Sequence, residues 1–373
     1  MTSSSDTTVI VGISGGVDSA VAATLLVEQG YRVQGLHMTN WEEDDDYCSA
    51  AEDFQDARRA CEDIGIPLHR INFTAEYREK VFAEFLEEYR RGRTPNPDVA
   101  CNRYIKFGDF LEYALRLGAD KIATGHYARV REEHGQFSLL KGKDSNKDQS
   151  YFLHAIKPET LSKVMFPLGE LHKPEVRLIA NKQGLSNYAR KDSTGICFIG
   201  ERPFREFLQT YLPAQGGTIE TGEGQTIGQH VGLMYYTLGQ REGLGIGGVK
   251  GYPEAPWYVA AKDLDRNVLI VTQGRDDPLL WSQAMVTESV RWLADAQPDI
   301  EFSCTVKTRY RQPDVPCSVR MNADGSAAVL FQEPVWAVTP GQYAVFYQDE
   351  RCLGGGVIAA ATGMAGSNQA ETA

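Results

Sequence analysis

Thr7-Thr8-Val9-Ile10-Val11-Gly12-Ile13-Ser14-Gly15-Gly16-Val17-Asp18-Ser19-Ala20-Val21 is the stretch that decides the fold. Thr7 to Ile13 is a β-branched apolar run, which predicts a buried strand. Val17, Val21 and Leu25 recur at helical spacing, with Gly30 placed to close the helix. Between them, Ser14 to Ser19 must turn strand into helix. Glycines let backbone approach phosphate oxygens closely, and the helix start offers free N–H groups and a partial positive charge. Ser14 and Ser19 add hydroxyls. A plain βα turn needs none of this.

Working outward, Arg32 to Met38 reads as a strand, Ala51 to Ile64 as a helix ending at Gly65, and Pro67 to Ile71 as a third strand. Val81, Phe82, Phe85, Leu86 and Tyr89 mark one face of a further helix. Asn102 to Leu117 predicts another, stopped by Gly118 and followed by a short strand, Lys121 to Thr124. Strands alternating with helices predict an α/β, Rossmann-like parallel sheet covered on both faces, with ligands at the carboxyl ends of its strands. His134 to Lys143 predicts a hairpin or meander, and Lys173 to Gln183 a helix with Pro174 near its first position. After Gly216 glycine and proline thicken. Phe302, Cys304, Val306, Thr308 and Tyr310 then alternate with Ser303, Thr305, Lys307 and Arg309, as in a small antiparallel barrel. The expected division is a catalytic domain at 1–205, a small mixed central domain at 206–276, a C-terminal antiparallel β-barrel at 277–362 and a disordered tail at 363–373.

The net charge of −12 argues against indiscriminate binding of nucleic acid. Local basic clusters qualify that inference: Arg90-Arg91-Gly92-Arg93, then Lys141, Lys143 and Lys147, then Lys307, Arg309 and Arg311. Seven cysteines without a C-x-x-C spacing fit a reducing compartment and disfavour a cysteine-held metal. No apolar run approaches the ~20 residues that span a bilayer. Met1 to Thr8 lacks the features of a secretory signal.

The glycine loop is not of the G-x-x-x-x-G-K-[ST] type, because Asp18 stands where that pattern has lysine. An acidic residue beside phosphates suggests a bridging cation, so Asp18 is a candidate Mg²⁺ ligand. Gly243, Gly245 and Gly248 fit G-x-G-x-x-G but precede two prolines rather than a helix, which excludes a dinucleotide site. Two cysteines lie in special settings. Cys101 follows Thr94-Pro95-Asn96-Pro97-Asp98; the prolines predict an extended loop, with Cys101 at a helix start where the dipole lowers a thiol pKa. Asp98 is near enough to act as acid or base. Cys197 lies in the polar, glycine-containing run Asp192 to Gly200, which predicts a mobile loop.

Ser14-Gly15-Gly16-Val17-Asp18-Ser19 resembles the PP-loop of the ATP pyrophosphatases, which cleave ATP between its α- and β-phosphates. Asn40-Trp41-Glu42, the run Gly92 to Asp98 with Cys101, Ala123 to Tyr127, Asp144 to Ser150, Asp192 to Gly200, Lys307 to Gln312 and Thr339 to Gln342 extend the likeness almost end to end. Together they resemble the bacterial tRNA-uridine 2-sulfurtransferases. That resemblance implies ATP on Gly12, Ile13, Ser14, Gly15, Gly16, Val17, Asp18 and Ser19, with Met38 and Gly125 near adenine and ribose. It implies that the wobble uridine of a tRNA anticodon loop is adenylated on its C2 oxygen, with Asn96, Pro97 and Asp98 against the base. It implies further tRNA contacts from His126, Lys147, Asp148, Gln149, Arg309, Tyr310 and Gln342. Cys197 would carry persulfide sulfur delivered by a sulfur-relay protein, and Cys101 would act as nucleophile, closing a transient Cys101–Cys197 disulfide or releasing hydrosulfide. The resemblance also implies a cytoplasmic monomer that makes no use of a membrane.

Overall fold

The computed structural model describes residues 4–42, 50–190, 204–293 and 299–363. Cys197, Cys48, the acidic stretch 43–47 and the tail 364–373 lie outside the described residues. Strand β1 (Thr8–Gly12) sits at the centre of a parallel sheet with β2 (Arg32–Thr39), β3 (Leu68–Asn72) and β4 (Lys121–Ala123). Two strands, β5 (Ala128–Glu133) and β6 (Gln136–Lys141), form a hairpin, and β7 (Val164–Met165) returns to complete the order β3-β2-β1-β4-β7. Helix α1 (Val17–Glu28) leaves the glycine loop, and α2 (Ala50–Ile64) follows β2.

The alternation along β1 explains why both sheet faces are covered. Ile10 joins Leu36, Ile122, Phe82, Phe85 and Phe110 on one side. Val9, Val11 and Ile13 join Ala23, Leu26 and Ala57 on the other. Each large side chain so buried contributes about 1.5–3 kcal/mol.

Two local expectations change. The hairpin starts earlier than His134: its turn is His134-Gly135, with φ of 54° and 78°, a two-residue connection with both centres left-handed. The helix expected from Asn102 begins at Pro97, runs as a wider π-type coil over Cys101–Asp109 and ends at Arg116. Pro97 does not hold helix off. It occupies the first position, where its missing N–H costs nothing.

The central part is a sheet of β8 (Gly217–Thr221), β9 (Thr226–His230), β10 (Trp257–Asp263) and β11 (Val268–Gln273), in the order β10-β11-β8-β9. Gly243 to Gly248 lie in irregular chain, consistent with rejecting a dinucleotide loop. The C-terminal part contains β12 (Trp281–Thr287), the short β13 (Arg291–Trp292), β14 (Glu301–Lys307), β15 (Val315–Met321), β16 (Ala327–Trp336), β17 (Tyr343–Gln348) and β18 (Arg351–Gly363). All of these except β13 form a ring of six antiparallel strands, closed where β12 pairs with β18. Closure removes the sheet edges. The hairpin of the first part docks on this ring through Leu140 and Arg351.

Beside that junction lies a buried polar network. The Asp148 carboxylate accepts the N–H groups of Gly142 and Ser150 at 2.9 and 3.1 Å and the Ser150 hydroxyl at 3.1 Å. Lys307 Nζ at the end of β14 lies 3.6 Å away, and the ammonium groups of Lys141 and Lys307 sit 4.4 and 5.6 Å from the Tyr347 ring centre. Asp148→Ala would leave buried N–H donors and Lys307 without this acceptor. The expected cost is about 3 kcal/mol, read as a lower urea midpoint, whereas Lys143→Ala on the exposed side of the same loop should leave the midpoint in place.

Candidate active site

The carboxyl ends of β1, β2 and β4 converge, and the glycine loop lies among them. Gly15 has φ +84°, a left-handed conformation that a side chain would strain. Ser19 Oγ accepts the Ser14 N–H at 3.3 Å and donates to the Gly16 carbonyl at 3.0 Å. Asn187 Nδ2 donates to the Gly15 carbonyl at 2.9 Å. Gly125, just past β4, packs so closely that a Cβ would lie 2.7 Å from the Asp18 carbonyl carbon and 2.8 Å from the Ser19 nitrogen. A Cβ on Gly12 would lie 3.4 Å from the Phe110 ring. Ile13 and Val17 are buried, so they can offer a ligand only backbone, and Met38 is half-buried on β2. His37, which carries no motif signal, pins the loop entrance through Nδ1 and the Ile13 carbonyl at 2.9 Å. Burial lowers its pKa, which favours the neutral ring.

Two cations here escaped sequence reasoning. Lys173 Nζ lies 2.7 and 2.8 Å from the two Asp18 carboxylate oxygens, and the Tyr127 hydroxyl donates to Oδ1 at 2.9 Å. Arg190 is held by Asp53 and Asp56 at 2.6 Å each, with Nη1 only 3.0 Å from where a Gly15 Cβ would be. A lysine thus stands beside the loop, brought there by the start of the helix Lys173–Lys182. Both Asp18 carboxylate oxygens are paired with its ammonium, so a cation-ligand role for Asp18 requires Lys173 to turn away first. No group of three or more His, Cys, Asp or Glu among the described residues could hold a metal ion.

Cys101 is fully buried and lies one turn inside its helix. The dipole argument for its thiol weakens accordingly, because that field fades within the first turn. Asn40, just past β2, brings Nδ2 to 4.0 Å from the Cys101 sulfur. Asn40 Oδ1, Asp98 Oδ1 and Asn102 Oδ1 are buried acceptors without a hydrogen-bond partner among the described residues. Such orphans are rare and point to a missing donor.

The expected RNA-contact residues divide. Thr94, Asn96, Pro97 and Asp98 form a rim held by the other two parts: the Thr94 N–H donates to the Pro340 carbonyl at 3.1 Å, and its hydroxyl lies 3.4 Å from that of Thr237. Gln342 Nε2 donates to the Thr94 carbonyl at 2.8 Å. Arg309 donates to the Leu238 carbonyl at 2.6 Å and to the Thr339 hydroxyl. Tyr310 packs on Phe152 with ring centres 4.3 Å apart. Gln149 accepts the Tyr127 N–H at 2.9 Å, and Lys147 lies half-buried on the same turn. Asp148 is the correction in this set: its carboxylate turns inward to the buried network and cannot face RNA. His126 lies between Phe107 and Phe166, with Nδ1 2.8 Å from the Thr124 hydroxyl. Burial, with Lys106 nearby, pushes its pKa well below the ordinary value, so it is a neutral ring at pH 7.

Comparison with known proteins places this geometry. A model described as the tRNA methyl transferase HUP domain matches residues 7–201, one described as the tRNA methyl transferase PRC-barrel domain matches 205–273, and one described as the aminomethyltransferase beta-barrel domain matches 282–358. The chain is 60% identical over 352 residues to the tRNA-specific 2-thiouridylase MnmA of Chromohalobacter salexigens, covering 94% of this chain and 92% of that one. It is 58% identical over 353 residues to the same-named protein of Idiomarina loihiensis, covering 94% and 95%. It is 60% identical over 352 residues to that of Pseudomonas savastanoi pv. phaseolicola, covering 94% and 93%. With such identity sustained across all three parts of the fold, the chain belongs to the tRNA-specific 2-thiouridylase family.

Proposed function

We propose that this protein uses ATP to replace the C2 oxygen of the wobble uridine in tRNA with sulfur. The observation that carries the reading is the convergence at the carboxyl end of the sheet of the glycine loop after β1, Asn40 with Cys101 after β2, and Gly125 after β4. Phosphate chemistry and thiol chemistry then share one pocket. The orphaned acceptors on Asn40, Asp98 and Asn102 suit a base that offers an N–H, as uracil does at N3.

In this mechanism the loop N–H groups and Lys173 hold the triphosphate. Lys173 moves its charge from Asp18 to the phosphates, and Mg²⁺ arrives as the nucleotide's own counter-ion. The uridine C2 oxygen attacks the α-phosphate and pyrophosphate leaves. The terminal sulfur of a Cys197 persulfide, loaded by a sulfur-relay protein, attacks C2, and AMP carries the oxygen away. The Cys101 thiolate then attacks Cys197 Sγ, which releases 2-thiouridine and closes a Cys101–Cys197 disulfide. Two external thiols reduce it for the next turnover. Asp98 relays the proton. The rim of Asn96, Pro97 and Asp98, with His126, Lys147, Gln149, Arg309, Tyr310 and Gln342, takes the anticodon loop, whose unpaired bases splay out at low cost.

Two measurements check this. Incubation with ATP, a persulfide donor and tRNA, followed by nucleoside mass analysis, should show 2-thiouridine for the natural protein and none for Cys197→Ser, with ATP affinity retained. Thiolation by Cys197→Ser at the natural rate would show that sulfur travels another way. Lys173→Ala removes the phosphate-side cation, so kcat/KM for ATP should fall by about 10²–10³-fold. An unchanged value would mean that Lys173 serves only to neutralise Asp18.

A further inference from the structure

Cys304 on β14 and Cys317 on β15 lie outside the site just described. They are direct cross-strand partners, and their Sγ atoms are 3.7 Å apart. Opposed residues of an antiparallel pair have Cα separations of about 4.5–5.5 Å, within the roughly 4.4–6.8 Å that a disulfide spans. Both side chains point into the barrel, where Cys317 is fully buried beside Val306, Val319 and Phe331. Cys304 packs on the same cluster but keeps partial exposure, which gives one sulfur a route to solvent. The strands are held in register from Glu301–Arg320 to Val306–Val315. The two thiols therefore stay opposed and within van der Waals contact of each other.

We propose that Cys304 and Cys317 are a redox site, a dithiol that peroxides convert to a cross-strand disulfide and that thiol reductants restore. The Cys304 sulfur attacks a peroxide oxygen and becomes a sulfenic acid, while the leaving hydroxide takes up the thiol proton as water. The Cys317 sulfur then attacks the sulfenic sulfur. The S–S bond forms, and the displaced hydroxide leaves with the Cys317 proton as a second water. Two thiols are oxidised by two electrons, and hydrogen peroxide is reduced to two waters. Contact with Cys317, together with burial, raises the Cys304 pKa, so the Cys304 thiol keeps its proton and reacts more slowly than an exposed, activated thiol.

The bond would clasp the base of the segment 305–316. That segment carries Lys307, paired with Asp148, and Arg309, bonded to Leu238 and Thr339. Oxidation would thus fix covalently the piece of barrel that reaches both other parts of the protein.

The test uses the reduced full-length protein, exposed to hydrogen peroxide, blocked with iodoacetamide and digested with trypsin without reductant. The tryptic peptides 292–307 and 312–320 should appear linked, two hydrogens lighter than their reduced sum, and dithiothreitol should separate them. The oxidised protein should also melt at a higher temperature than the reduced one, because the cross-link restricts the unfolded chain. A Cys101→Ser/Cys197→Ser double variant should still form the link and Cys304→Ser should not, which separates this site from the sulfur-transfer cysteines. Both thiols still alkylated after peroxide would overturn the proposal. So would extra oxygens on Cys304 while Cys317 remains alkylated.

Discussion

A buried carboxylate must be paired or hydrogen-bonded, and Asp148 meets that demand with groups from separate parts of the chain. Gly142 and Ser150 supply N–H donors from the first part, and Lys307 supplies charge from the barrel. Ser150 passes the link on, with its hydroxyl 3.2 Å from that of Tyr347 in β17. The turn that carries Lys147 and Gln149 is therefore fastened to the barrel from within. At the far side of the site Thr94 plays the matching part, bonded to Pro340 and Gln342 of the barrel and facing Thr237 of the central sheet. Lys262 adds a third fastening, donating from β10 to the Gly92 carbonyl at 2.9 Å. Between these anchors the rim that presents Asp98 has little freedom to drift.

The charge arrangement at the glycine loop follows a similar economy. Lys173 and Arg190 would repel each other and their surroundings if left bare, and each is matched with carboxylates of the protein itself. An anion that enters exchanges one partner for another and does not meet a naked charge. Because Arg190 immediately precedes the segment 191–203, the residue that braces the loop also stands at the root of the stretch carrying Cys197.

Much of this was legible in the chain because it was local. Strand, glycine loop and helix are contiguous from Thr7 to Gly30, and the alternation from Phe302 to Val306 marks the barrel's inner face, although the strand stops at Lys307 and Tyr310 packs instead on Phe152 of the first part. Lys173 was not legible, because it meets Asp18 across 155 positions and nothing in His172-Lys173-Pro174 marks it as a phosphate ligand. The depth of Cys101 was misread for a local reason: Pro97 was taken as a barrier to helix when its fixed φ makes it a good first residue. The inward turn of the Asp148 carboxylate was not legible either, because the resemblance placed the residue but not its side chain, and the lysine that faces it comes from β14.

The closed barrel has a consequence for how the molecule is made. The ring is sealed by β18, the last of the described strands, which pairs with β12, with β17 and with the β6 strand of the first part. As the polypeptide leaves the ribosome, the early α/β part can assemble from neighbours in sequence, yet its hairpin keeps an unpaired edge until β18 has been synthesised. Pairings of such long sequence separation form late, and unpaired edges recruit other chains. The interval before β18 emerges is thus when the nascent protein is most in need of protection.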